Sequence, residues 1–243
     1  MMPIIIPTSG RTNAQITVQS LSGECLERTT FVCPEIEVFK LRLLDERIKV
    51  EAQPDPDWKI AQKRKWIIEE WLRRGCEKIL MLDDDLSFWT RISDNDTALE
   101  KISGEKLGAE IQRLFDKLGP EYPHVGFGQR QFNNNEEPGW KIPGKMQCAL
   151  AYYLPIVAEA VRWDLVQVKS DYCATLQLLL RGYPNAVWQQ TVVEQARGFD
   201  APGGCNTYRT LEMHNDETEK FAKLYSDYVR VEHKYGRLEV TVQ

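Results

Sequence analysis

Residues 78–82 read Lys-Ile-Leu-Met-Leu, and three aspartates, Asp83, Asp84 and Asp85, follow without a break. Four consecutive apolar residues give a short segment no solvent face, so alternation of buried and exposed positions is ruled out. Such a segment fits a central strand covered by helices on both sides. Three adjacent carboxylates repel one another, and nothing in a solvated loop demands them. The run therefore predicts a buried strand and singles out its carboxyl end.

The surrounding sequence supplies the sheet. The β-branched "PIIIP" near the N-terminus stops at the turn signal "TSGR", and "TTFVCP" and "IKVEAQP" are further strands. Between them "NAQITVQSL", "EIEVFKLRLL" and "PDWKIAQKRKWIIEEWLRR" read as helices, the last ended by Gly75. Strands alternating with helices predict an α/β fold, with a mostly parallel sheet and helices on both faces. Beyond the aspartates, "GEKLGAEIQRLFDKLG" is an amphipathic helix, and "HVGFGQRQF" and "MQCALAYYL" are strands with the loop "NNNEEPGWKIPGK" between them. "SDYCATLQLLLRGYP" is a helix capped by Ser170 or Asp171 and closed by Gly182, and "NDETEKFAKLYSDYVRVEHKYG" is read as one more helix. No repeat or linker interrupts this pattern, which predicts one domain in two halves, 1–121 and 122–243.

Composition removes several function classes. No stretch approaches the roughly 18 apolar residues of a membrane span, and the N-terminal apolar run is too short for a signal peptide. Six cysteines are scattered without a CxxC pair, which predicts free thiols in a reducing cytoplasm. A net charge of −5 argues against a general polyanion binder, while leaving room for a locally basic groove.

In open parallel sheets ligands bind beyond the carboxyl ends of the strands. If the chain stays extended after Leu82, Asp83 and Asp85 share a face and Asp84 points away. Converging carboxylates call for a cation. Hard divalent ions such as Mg²⁺ or Mn²⁺ take one or two carboxylates plus substrate phosphates, so a metal–diphosphate site is predicted. Two alternatives stand beside it. One is a strand end where one Asp caps a helix and the others are solvated. The other is a phosphatase of the haloacid dehalogenase kind, which three preceding strands disfavour.

The strand "IIIPTSGR", the alternation after it and the apolar strand ending in D-x-D resemble the GT-A glycosyltransferases over the first ninety residues, and the remainder more loosely. That resemblance implies a GT-A-type, Rossmann-like sheet, with a nucleotide sugar held by the first half and an acceptor by the second. It would place Asp83, with Asp84 beside it, on the nucleotide sugar and Asp85 on the metal, and line the nucleotide pocket with Pro7, Thr8, Ser9 and Arg11. "IIIPTSGR", "LDDDLSF" and "SDYCATLQLLLRGYPN" together with the length are more closely similar to the TET-associated glycosyltransferases of bacteriophages. Membership there implies transfer from a nucleotide sugar, UDP-linked, to 5-hydroxymethylcytosine in phage DNA, in the cytoplasm of an infected bacterium. The acidic net charge departs from what a DNA enzyme suggests.

Other residues carry two readings each. Arg64 falls on the apolar stripe Ile60, Ala61, Ile67, Ile68 and Trp71, as a nucleotide or diphosphate contact or as an internal ion pair. Lys63 and Lys65 flank it on the outer face. Asp171 is a helix cap or the general base for an acceptor hydroxyl, as in inverting GT-A enzymes. His214 is a late metal ligand, as often in GT-A enzymes, or a structural His. The loop "APGGCNTYR" could close over a diphosphate, with Gly203 and Gly204 permitting close approach. Trp140 stacks on a base or sugar of the acceptor, or anchors its loop. Competing functions are transfer to a glycan or small molecule, nucleotidyl transfer (disfavoured by a single Gly in "PTSGRTNAQ"), and a non-catalytic nucleotide-sugar or DNA-binding module.

Overall fold

The computed structural model describes residues 2–93, 97–131, 133–195 and 203–242. Its first part runs β1 (Ile4–Pro7), α1 (Gly23–Glu27), β2 (Thr29–Cys33), α2 (Glu35–Arg42), β3 (Lys49–Ala52), α3 (Ile60–Arg73) and β4 (Lys78–Leu82). The middle continues with β5 (Leu86–Arg91), β6 (Leu99–Ile102), α4 (Gly104–Lys117), β7 (His124–Gln129), β8 (Trp140–Lys141) and β9 (Ala149–Tyr153). The rest comprises α5 (Leu154–Ala160), α6 (Ser170–Leu180), β10 (Asn185–Gln195), α7 (Leu211–Leu224) and the hairpin β11 (Val229–Lys234) and β12 (Arg237–Val242).

One sheet runs through the molecule in the order β3-β2-β1-β4-β9-β7-β10-β5-β6, with β8 added to β10. Pairing directions make it mostly parallel: among the described strands only β5, β8 and β9 run against the rest. The predicted strand at 78–82 lies inside this sheet, between β1 and β9, with Ile79 to Leu82 all buried. Alternate side chains of each strand feed opposite layers. Ile4, Ile6, Leu80 and Leu82 pack with α1, α2 and α4, whereas Ile5, Ile79 and Met81 pack with α3, α5 and α6. Tyr152 and Tyr153 likewise separate onto the two faces. A third cluster, around Cys173, Leu176, Phe221 and Val229, seats α7 and the hairpin on α6.

The structure revises three segments. "NAQITVQSL" becomes a 3₁₀ turn at Thr17–Ser20, followed by the short α1, because Thr17 is drawn into the turn after β4. β5, β6 and β10 extend the sheet antiparallel and parallel beyond the predicted strands. The last predicted helix ends at Leu224, and 229–242 form a hairpin around Tyr235 and Gly236, both at positive φ (56° and 74°). A two-residue turn with both residues left-handed matches the twist of paired strands.

His124 sits fully buried on β7, stacked on Tyr152 at 4.6 Å, with its Nδ1 3.3 Å from the Thr175 hydroxyl. Burial, reinforced by the charge of Arg64, lowers its pKa to about 3. An unfolded His takes its proton near 6.5, so between pH 3 and 6.5 the unfolded chain binds the extra proton and folding weakens as pH falls. One such group contributes a slope of about 1.4 kcal/mol per pH unit. Denaturant titrations between pH 4 and 6.5 should show this slope reduced by that amount in His124→Gln, whatever its effect at pH 7. An unchanged slope would contradict the assignment.

Candidate active site at the end of β1 and β4

The strand order reverses between β1 and β4, since β2 and β3 lie on one side and β9 on the other. Loops leaving two such strands diverge above and below the sheet and leave a crevice between them. A cleft of about 540 Å³ opens there, bounded by Thr8, Arg11, the three aspartates and the start of α6.

The aspartates do not alternate as an extended chain would place them. β4 ends at Leu82 and the chain turns at once, fixed by Thr17. Its hydroxyl donates to the Asp83 carbonyl at 2.5 Å and accepts from the Leu86 amide at 2.9 Å. Ile16 and Thr17 amides donate to the Asp84 carbonyl. The turn corrects the expected pairing: Asp84 and Asp85 lie together on Arg11, and Asp83 faces elsewhere. Arg11 Nη1 is 2.5 Å from Asp84 and 2.9 Å from Asp85, and the Thr8 hydroxyl donates to Asp84. Asp85 is 1% exposed, and among the described residues its buried Oδ1 meets no hydrogen-bond donor. Burial raises the Asp85 pKa above the ordinary carboxylate range against the opposing pull of Arg11.

Asp83 accepts from the Gln195 side chain at 3.2 Å and lies 3.6 Å from Arg64. Burial pushes its pKa up to about 7. Arg64 opposes that shift, and the charges of Asp85, Asp171 and Asp84 add to it. Arg64 is itself buried. Desolvation works against its charge, but Asp171 and Asp83 outweigh that and hold its guanidinium firmly protonated. The internal-ion-pair and cleft-contact readings of Arg64 thus coincide in one side chain.

Lys63 corrects the outer-face expectation. It is 4% exposed and donates to the Thr8 carbonyl at 2.8 Å, and burial lowers its pKa to about 8. The signal was present: position 63 stands three residues after Ile60 and four before Ile67, the spacing of the buried stripe. Pro7 and Ser9 also line the cleft.

Across the cleft, α6 begins differently from the expected Ser-Asp cap. Lys169 holds the N-cap position at φ 64°, Ser170 accepts from Arg64 Nη1 at 2.9 Å, and Asp171 accepts from the Tyr172 amide at 3.0 Å. Asp171 remains half-buried on the cleft wall, facing Arg64 and Asp83. His214 reaches the same wall, with its Nε2 on the Leu238 carbonyl at 2.9 Å and 3.7 Å from Glu239. It is not gathered with the aspartates: among the described residues no three His, Cys, Asp or Glu side chains converge on a metal position. Trp140 does not reach the cleft. It packs on Trp188 at 5.0 Å and on the core, which corrects its acceptor-stacking reading to the loop-anchor one.

Gly203 and Gly204 approach closely, and what they approach is Arg11. The Gly204 amide donates to the Ser9 carbonyl at 2.6 Å, and Arg11 Nη2 reaches the Gly203 carbonyl at 3.4 Å. Ala201 and Pro202 of the same predicted loop lie outside the described residues. A Cβ on Gly204 would stand 2.9 Å from Arg11 Cζ, at a φ of +60°. Gly204→Ala should therefore cost about 1–2 kcal/mol in backbone strain and also displace Arg11 from both aspartates. Gly75→Ala, at φ +82° in open space, meets the backbone cost alone. Melting curves should move for both variants and turnover should fall tenfold or more only for Gly204→Ala; equal turnover would show that the contact with Arg11 is idle.

The TET-associated glycosyltransferase family matches residues 2–204. The chain belongs to this family. The match spans the cleft residues from Pro7 to Gly204 and stops short of those that follow, His214 and Glu239 among them, and the glycosyltransferase assignment brings with it a nucleotide-sugar substrate. No curated protein matches the sequence of this TET-associated glycosyltransferase. Among solved structures it is similar to a mannose-1-phosphate geranyltransferase from Thermus thermophilus, at 11% identity and a TM-score of 0.48, covering 79% of this chain and 75% of that one. A cytidylyltransferase from Leptospira borgpetersenii gives 9%, 0.43, 75% and 73% in the same order, and mouse xyloside xylosyltransferase 1 gives 12%, 0.36, 74% and 73%. No helix among the described residues is long and apolar enough to cross a membrane, and none of the six cysteines is in a disulfide.

Proposed function

We propose that this glycosyltransferase moves a sugar from a UDP-linked nucleotide sugar to the hydroxymethyl oxygen of 5-hydroxymethylcytosine in bacteriophage DNA. A divalent cation, Mn²⁺ or Mg²⁺, would assist. The observation that carries the reading is the crevice at the β1–β4 reversal, where Asp84 and Asp85 meet Arg11, Asp83 meets Arg64, Lys63 holds the Thr8 carbonyl and a further carboxylate, Asp171, faces them. Cationic side chains in a low-dielectric crevice suit a diphosphate, and a carboxylate opposite suits a hydroxyl that must lose its proton.

The Asp85 Oδ1, buried and without a partner among the described residues, fits a ligand to a hard cation. The donor set fits the arrangement in which one or two carboxylates are completed by substrate phosphates and water, not a cage of protein ligands. Asp85 would hold the ion. When bound, the ion supplies positive charge at the departing diphosphate. The chain's own groups do the rest. Lys63 holds the strand end at Thr8, Arg11 holds Asp84 and Asp85, Arg64 fixes the start of α6, and Asp171 takes the acceptor proton as the acceptor oxygen attacks the anomeric carbon.

The test is a panel of nucleotide sugars offered with hydroxymethylated and with unmodified DNA, the nucleosides then being weighed by mass spectrometry. A hexose or N-acetylhexosamine mass added only to hydroxymethylcytosine, and lost in EDTA, is expected. Sugar found on a glycan or small alcohol but never on DNA would replace the acceptor in this reading; release of free sugar with every acceptor would remove the transferase reading.

A further inference from the structure

Between the aspartates and α6 the cleft floor is formed by a three-residue turn with unusual backbone geometry. The Ala149 amide donates to the Gln147 carbonyl at 2.8 Å across Cys148, whose φ is 69°. This is the rarer and strained hand of γ-turn, on a residue with a Cβ. The turn is held at both ends of the site, because the Cys148 carbonyl accepts from the Asp83 amide at 2.8 Å and the Gln147 side chain meets Tyr172, the neighbour of Asp171. Strain at such a place indicates that something about Gln147 is being fixed.

What is fixed is the orientation of its amide. The Gln147 main-chain carbonyl can only accept, so the Gln129 side chain must turn its Nε2 toward it, at 3.0 Å. Gln129 then presents Oε1, which can only accept, and Gln147 must answer with its own Nε2, at 3.1 Å. That leaves Gln147 Oε1 facing the Tyr172 hydroxyl, which donates to it at 2.6 Å. A flip of the Gln147 amide would set oxygen against oxygen at Gln129. After these bonds the amide retains one N–H and one lone pair, in a fixed order, on a half-buried side chain lining the cleft.

We propose that Gln147 is the specificity-determining residue for the acceptor base, reading an aminopyrimidine edge whose ring nitrogen accepts from Nε2 and whose exocyclic amine donates to Oε1. The inference rests on the hydroxymethylated-DNA reading above. Asp171 engages the 5-hydroxymethyl oxygen, so the base cannot be turned over to suit the amide. A uracil edge then presents its carbonyl and its N–H in the wrong order, leaving buried polar groups unmatched. Hydroxymethylcytosine is thus accepted, and hydroxymethyluracil rejected, by one side chain whose amide is held at both its nitrogen and its oxygen.

The experiment compares initial rates on DNA containing 5-hydroxymethylcytosine and on DNA containing 5-hydroxymethyluracil, for the wild type, Gln147→Met and Tyr172→Phe. Met keeps the volume and removes both hydrogen-bonding groups; Phe keeps the ring and removes only the hydroxyl that orients Oε1. The wild type should prefer hydroxymethylcytosine at least tenfold in kcat/KM. In Gln147→Met the KM for that DNA should rise tenfold or more and the preference should collapse, with the Kd for the nucleotide sugar unmoved. Tyr172→Phe should lose part of the preference. A wild-type preference that survives intact in both variants would overturn the assignment of Gln147 while leaving the acceptor reading standing. A wild type that glycosylates neither DNA would remove the acceptor reading and this inference with it.

Discussion

Asp85→Asn should abolish transfer, by a factor of 100 or more, while the protein still folds. In the wild type Asp85 Oδ2 receives Arg11 at 2.9 Å, and Oδ1 is buried with no partner among the described residues. Arg11 offers only donors, so an asparagine must turn its oxygen toward Arg11 and leave its NH₂ group in the position of Oδ1. A position suited to a cation then holds two hydrogens. The fold tolerates the change because Arg11 keeps Asp84, and because removing one of three adjacent carboxylates relieves repulsion. Losing a group that stabilises charge on a leaving diphosphate typically costs on the order of 10²–10³ in turnover. Metal-dependent nucleotide binding, followed calorimetrically with and without Mn²⁺, should disappear in the variant, and EDTA should silence the wild type. Full turnover in Asp85→Asn, or in the wild type after EDTA, would refute the metal site at this residue.

The placement of this site was legible in the sequence, but its internal pairing was not. Continuous apolar character at 79–82 forced a buried strand, and buried parallel strands have their ligand sites at their carboxyl ends; both steps follow from local pattern. The partners of the aspartates depend instead on Thr17, which is 66 residues from Asp83 and turns the chain one residue after the strand. No periodicity records such a contact. Arg64 was readable as a charge on an apolar helix face, and Lys63 should have been by the same spacing. The chain after the aspartates was harder. β10 mixes polar and apolar residues because its neighbours are β7, β5 and β8, and Thr191 and Trp188 spend their polar groups on Glu110 of α4. The C-terminal hairpin lacks the Asn-Gly or Asp-Gly turn that announces such structures, using Tyr235-Gly236 in its place. Gln147 stayed silent for a physical reason: an amide becomes a reader only when other side chains fix which end is which.

Asp171→Asn should leave nucleotide-sugar binding intact and remove most of the transfer rate. The carboxylate stands on the α6 side of the cleft, half-buried, with the positive charge of Arg64 and the negative charge of Asp83 facing it. The helix does not depend on its charge: Lys169 occupies the cap, and the Tyr172 amide at 3.0 Å can donate to an asparagine oxygen as well as to a carboxylate. What asparagine cannot do is take a proton. An alcohol attacks well only while its proton is leaving, and a positioned base contributes typically about 10²–10⁴-fold, so the rate should fall by that order. Attack assisted from this side, with the diphosphate departing on the other, is a single displacement, and an α-linked nucleotide sugar would give a β-linked product. The anomeric coupling constant of the product by NMR reads that outcome directly. A product that keeps the α-linkage, or an Asp171→Asn enzyme that turns over at near the normal rate, would mean that the acceptor proton goes to another group in the cleft.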